Sequence, residues 1–134
     1  MNTKPVLTND DVTAMLAAGR AEAERNGWAV TIVVVDDGGH PLALQRLDGA
    51  TASSAYIATE KARTSALGRR ESKVYEDMIN GGRNAFLSVP LTGMLEGGVP
   101  VLAAGQVVGA VGVSGVKSEQ DAQVAKAAAR AVAA

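Results

Sequence analysis

The stretch VTIVVVDDGGHPLALQRL, residues 30–47, decides the fold. Val30 to Val35 is an unbroken, mostly β-branched run with no polar alternation, the pattern of a strand covered on both faces and therefore central in its sheet. Asp36-Asp37-Gly38-Gly39 is a strong turn signal, and Pro41 to Leu47 resumes an apolar pattern. The two runs predict a hairpin. Pro41, with no backbone N–H to give to a ladder, fits only as the first residue of its strand.

Upstream, Thr8 to Asp11 reads T-x-x-D, a variant of the capping box, and Val12, Met15, Leu16, Gly19 and Ala23 follow at helical spacing. This predicts a helix from Asn9 to Arg25, ended by Asn26-Gly27. Downstream of Asp48-Gly49, the hydroxyls of Thr51, Ser53 and Ser54 offer N-caps for a helix to about Leu67. Its Ala55, Ala58, Ala62 and Ala66 make one small face that can lie tightly on a sheet. A charged segment, Arg69 to Lys73, leads to a short helix over Val74 to Ile79, stopped by Asn80-Gly81-Gly82. Arg83 to Pro90 has no readable period. Met94-Leu95, Val99 to Ala103 and Gln106 to Val113, cut by glycines, read as an antiparallel meander. Ser118 is the expected cap of a last helix with Ala122, Val124, Ala125, Ala128 and Ala129 on its apolar side.

Strands thus arrive in hairpin-connected groups and do not alternate singly with helices. The expectation is an α/β chain of the α+β kind, a five-stranded antiparallel sheet flanked by helices, over one domain spanning residues 1–134. With 134 residues and 47% hydrophobic content, one domain can bury a substantial core. Aromatics are only 3% of the chain, so that core must be built from aliphatic side chains at close spacing.

Composition also excludes functions. Thirteen basic against fourteen acidic residues leave a net charge of -1, without the basic footprint that nucleic acid requires. Zero cysteines rule out disulfides, thiolate chemistry and thiolate metal sites. No apolar run approaches the roughly 20 residues that span a bilayer, and Met1 to Asp11 has no export-signal pattern, so a cytoplasmic location is expected. Gly105 to Gly115 contains neither G-x-G-x-x-G nor a Walker pattern and reads as a strand, in which Gly109 and Gly112 mark close approach of a packed helix or of a ligand. Around Ser114 the second glycine of a nucleophile elbow is missing.

His40 is the single histidine, so a multi-histidine zinc site is excluded, while one imidazole can serve as an axial haem ligand, a proton shuttle or a plain turn residue. Asp36 and Asp37 are turn formers, and a carboxylate at a strand end can also act as a general base. Arg46 and Asp48 fall on one face of their strand, where the guanidinium either binds a carboxylate or pairs with Asp48. Lys61, flanked by Glu60 and Arg63, reads as part of a solvated helix face. Arg69 and Arg70 complement a helix dipole.

Taken together, Val33-Val34-Val35-Asp36-Asp37-Gly38-Gly39-His40, Arg46-Leu47-Asp48-Gly49-Ala50, Lys61-Ala62, Gly97-Gly98-Val99-Pro100-Val101, Gly105 to Gly115 and Gln120-Asp121 resemble the GlcG/HbpS-like family, which includes the C-terminal domain of PduO-type proteins. The blocks occur in order over nearly the whole chain. The resemblance implies a profilin-like antiparallel sheet with helices, a homo-oligomer that is often an octamer, and a small-molecule ligand in place of nucleic acid or membrane. Some members bind, degrade or sense haem, and others belong to catabolic pathways.

Two functions follow from the resemblance. In the first, haem sits in a cleft at a subunit contact with His40 as the iron ligand, Met15, Met78 and Met94 as weaker candidates, and Arg46 or Lys61 meeting the propionates. In the second, the protein is a cofactor-free enzyme or binding protein, an isomerase, hydrolase or deaminase, for a small carboxylic acid. There Arg46 anchors the carboxylate, Asp36 or Glu96 moves a proton and Lys61 stabilises developing charge, with Gly98, Ser114 and Gly115 supplying further hydrogen bonds.

Overall fold

The computed structural model describes residues 1–132. Helix α1 (Asn9–Asn26) is followed by strands β1 (Thr31–Asp36) and β2 (Pro41–Arg46), helices α2 (Ala52–Gly68) and α3 (Lys73–Asn80), a 3-10 turn (Asn84–Ser88), strands β3 (Gly98–Ala103) and β4 (Gln106–Ser114), and helix α4 (Ser118–Ala129). The hairpin, the central position of β1 and Pro41 at a strand start all agree with the sequence reading. The Thr8 capping box is closed: the Thr8 hydroxyl accepts from the Asp11 N–H at 3.2 Å, and the Asp11 carboxylate accepts from the Thr8 N–H at 2.8 Å. Ser118 is the first residue of α4 and not its cap, a position taken by Lys117.

The sheet has four strands, all antiparallel, in the order β2-β1-β4-β3, and not the expected five. Met94-Leu95 forms no strand because its chain runs along α2 and the start of α3, where side-chain hydrogen bonds take the place of a ladder. The Thr64 hydroxyl donates to the Thr92 carbonyl, the Thr92 hydroxyl donates to Glu60 at 2.6 Å, and the Ser72 hydroxyl donates to the Leu95 carbonyl at 2.5 Å. Side chains fix this segment, so it needs no sheet partner.

Two layers of unequal thickness cover the sheet. On one face α1 and α4 bury Val12, Met15, Val124 and Ala128 against Ile32, Val34, Val101, Val111 and Val113. On the other α2 lays Ala58, Ala62 and Ala66 on Val33, Val35 and Ala110. That second layer is thin because Gly98 and Gly112 are directly paired across β3 and β4. A methyl at Gly112 would stand 2.0 Å from the Ala58 carbonyl oxygen, and one at Gly98 would stand 2.2 Å from that of Lys61. The helix therefore rests on sheet backbone. Gly109 is tight for another reason: a methyl there would meet the Val35 carbonyl of β1 and the Leu7 side chain.

Candidate functional site

At one end of the sheet, Asp36 closes β1 and organises the turn to β2. Its Oδ1 accepts from the Gly38 N–H at 2.9 Å, from the His40 N–H at 3.0 Å, and lies 3.2 Å from His40 Nδ1. Burial works to raise the Asp36 pKa, but the two backbone N–H groups and the imidazole outweigh it and hold the carboxyl below its ordinary value. A carboxylate held down in this way is a poor proton acceptor near neutrality; what it does is orient the ring. With Asp36 ionised, Nδ1 donates to it, and Nε2 is the outward nitrogen of a side chain that is 79% exposed.

Cations and aliphatic groups surround this turn. Lys4 pairs with Asp37 at 2.9 Å, and the Arg69 guanidinium donates to the Asp37 carbonyl. The stem of Arg63 and the side chain of Leu67 pack against Gly39, and Leu42, Leu44 and Leu67 are exposed nearby on β2 and α2. Val33 faces α2 and pairs with Leu44, which places Leu44 on the α2 side of the sheet, while Leu42 lies in the irregularity between the Ala43 and Pro41 pairs.

Lys61 corrects the sequence reading: it is not on a solvated face but 3% exposed beneath α2. Glu60 and Arg63 point outward, while Lys61 shares the inner face of Ala58, Ala62 and Ser65. Its Nζ donates to Asp121 Oδ2 at 3.0 Å and to the Val113 carbonyl at 3.1 Å, and Asp121 Oδ1 accepts from the Val116 N–H at 3.1 Å. Burial pushes the Asp121 carboxyl up, with Lys61 and the Val116 N–H opposing. This cluster ties α2, β4 and α4 together. Asp121 was assigned no role from sequence, and the available signal was Lys61 falling on the alanine face at spacings of three and four.

The remaining candidates are dispersed. Arg46 is exposed at the opposite end of β2 from His40, six residues of extended chain or roughly 20 Å away. Among the described residues it forms no ion pair with Asp48, which stands in a groove of about 340 Å³ with Arg20 and Trp28 on the α1 side. Glu96 is half-buried before β3, its N–H donating to Glu76 at 2.7 Å. Gly98 gives its N–H to Ser72 Oγ at 2.8 Å, so its backbone donor is already engaged. Ser114 is 7% exposed at the end of β4, and Gly115 beside it fits a φ of 142° against the Ala29 carbonyl. Of the methionines offered as ligands, Met15 is wholly buried in the core, and Met78 and Met94 are half-buried away from the His40 turn. Among the described residues no three His, Cys, Asp or Glu side chains gather as a metal-binding group, and no helix is long and apolar enough to cross a membrane.

The fold and the turn define a class: a small α+β domain that presents one oriented imidazole on an open surface. The chain belongs to the family described as "Haem degrading protein HbpS-like", whose model matches residues 7–130. It is 58% identical over 114 residues to Protein GlcG of Escherichia coli K12, covering 85% of each chain. The crystal structure of HbpS matches with a TM-score of 0.90 at 30% identity, covering all of this chain and 95% of that one. A structure of a PduOC:heme complex shares the fold, with a TM-score of 0.85 at 24% identity over 96% of each chain.

Proposed function

We propose that the protein is a haem-handling module in which His40 Nε2 takes the iron. The observation that carries this reading is the Asp36–His40 pair. A metal-binding histidine commonly gives its other ring N–H to a carboxylate, which fixes both tautomer and direction, and Asp36 is held in its ionised form to do this. The residues around the turn suit the group: exposed Leu42, Leu44 and Leu67 would offer aliphatic contact to a porphyrin, and Arg63 and Arg69 beside the turn would supply cations for propionates. The family's description and the haem complex of a protein with the same fold support the reading.

Arg46 and Lys61 are set aside as propionate partners, the first by its distance and the second by its ion pair. The open surface gives haem one wall, and a second copy of the chain in a homo-oligomer supplies the other. The alternative of a cofactor-free enzyme gains no support from the geometry, since its proposed acid, base and anchor stand in separate places.

Titration of the purified protein with haemin tests the proposal. The expected result is a saturable Soret shift that disappears in His40→Ala and persists in Arg46→Ala. A shift that survives in His40→Ala overturns the ligand assignment, and an unshifted spectrum in the wild type overturns haem binding altogether.

A further inference from the structure

Residues 91–95, the strap between the 3-10 turn and β3, are held along their length. The Thr64 hydroxyl donates to the Thr92 carbonyl, and the Ser72 hydroxyl donates to the Leu95 carbonyl at 2.5 Å. Gly93 sits so close to α2 that a methyl there would stand 2.6 Å from the Glu60 carbonyl carbon, so the strap is pressed down as far as the backbones allow. Tyr75 of α3 and Phe86 of the 3-10 turn pack with ring centroids 5.4 Å apart, which ties the turn to the helix. Between these three fixed segments lies a hollow of about 390 Å³, a volume within the range of small-molecule sites.

Its lining is mostly aliphatic. Ile79, Leu87, Leu91, Met94 and Leu95 form the wall, and Leu87 and Leu95 keep 64% and 46% of their surface exposed. Glu76 is the one charged side chain among the described residues of that wall. It is half-buried, and no cation pairs with it among the described residues. The basic residues flanking the hollow in sequence are committed elsewhere, Lys73 to Asp77 at 2.7 Å and Arg83 to the Phe86 ring at 5.5 Å. Glu76 Oε1 accepts from the Glu96 N–H at 2.7 Å, while Oε2 takes no hydrogen bond among the described residues. A carboxylate oxygen is thus left beside an apolar wall, where a ligand that covers it must donate to it, and best with a positive charge.

We infer that this hollow binds a small apolar primary amine, its hydrocarbon part against Leu87, Leu91, Met94 and Leu95 and its ammonium donating to Glu76 Oε2. The preformed, concave walls suit a small molecule, and the single uncompensated carboxylate selects the sign of its charge. The hollow shares no residue with the His40 turn, and the inference does not depend on the haem reading.

Amide NMR on the 15N-labelled protein tests it near neutral pH with hexylamine, hexanol and hexanoate, probes of one chain length and different charge, and with ammonium chloride as control. Hexylamine is expected to shift the amides of residues 76–80 and 91–95 saturably and to bind about tenfold or more tightly than hexanol, with hexanoate weakest, because its hydrogen bond is charge-assisted. In Glu76→Gln, which keeps an oxygen for the Glu96 N–H, hexylamine should fall to the level of hexanol while hexanol is unchanged. Leu87→Ala, at an exposed position, should weaken both alike. Hexanoate binding as tightly as hexylamine, a Glu76→Gln titration equal to wild type, or equal shifts with ammonium chloride would each overturn the inference. So would site amides that move with protein concentration alone, as a second copy docking there would make them do.

Discussion

Replacing Lys61 with methionine tests the buried cluster directly, because the side chain keeps its length and loses its charge. Asp121, on the inner face of α4, then stays buried with one hydrogen bond, from the Val116 N–H, and without the ammonium 3.0 Å away. Breaking a buried pair by removing one partner costs about 3–5 kcal/mol, a large share of the roughly 5–15 kcal/mol by which domains of this size are stable. The pH dependence follows from Asp121. Burial already raises its pKa, and without Lys61 one lowering influence is gone, so the folded carboxyl binds a proton more readily than the unfolded one. An acid with a raised folded pKa makes stability fall as pH rises. The deficit of Lys61→Met should therefore be greatest near pH 8 and shrink as pH drops through the raised Asp121 pKa. Urea unfolding followed by circular dichroism at a series of pH values measures both quantities. Adding Asp121→Asn removes the stranded charge but keeps an oxygen for Val116, and should recover most of the loss. If Lys61→Met stays within about 1 kcal/mol of wild type at pH 7, or its deficit does not shrink on acidification, the pair does not act as described.

Gly112→Ala should destabilise by about 3 kcal/mol or more in the same assay, because its methyl would meet helix backbone at 2.0 Å and nothing flexible can yield. Thr8→Ala removes an exposed cap and should cost about 1 kcal/mol without altering the α2 side, as read by amide exchange. Asp36→Asn should weaken haemin binding about 10- to 100-fold while leaving a Soret shift, since the ring keeps its iron-binding nitrogen but loses the group that aims it. Because the Asp36 pKa is depressed in the folded state, its contribution to stability is present above the ordinary value of 3.8 and lost as pH falls through the folded one. Acid unfolding curves of wild type and Asp36→Asn should therefore converge as pH falls through the depressed Asp36 pKa, and a constant separation at all pH values would contradict the network drawn for Asp36.

Much of the architecture was legible because local signals agree with the global fold. The β-branched run at Val30 to Val35, the Asp-Gly turn and the Thr8 box each specify structure within a few residues, and each is found where the pattern places it. The strand count was not legible. Met94-Leu95 is apolar and glycine-flanked like a strand, and only contacts with Thr64 and Ser72, far away in sequence, divert it along α2. Lys61 shows the same limit. Its charged neighbours Glu60 and Arg63 suggest an exposed face, but the 100° turn between successive helical residues puts it inward, where a carboxylate from 60 residues later meets it. Strand pairing, which sequence spacing alone does not reveal, is what separates Arg46 from His40 and joins it to Thr31 and Ser114.

The paired glycines under α2 make the two halves of the molecule unequal in what they tolerate. On the α1 and α4 side, valines meet isoleucine and methionine, and exchanges among aliphatic residues of similar volume can be absorbed by rotamer changes. On the α2 side, alanine rests on peptide groups, and even one added carbon has nowhere to go. A saturation library scored for folded protein should therefore be lopsided, permissive across one layer and nearly monomorphic across the other. Substitutions that keep the fold should therefore fall mostly on one side of the sheet.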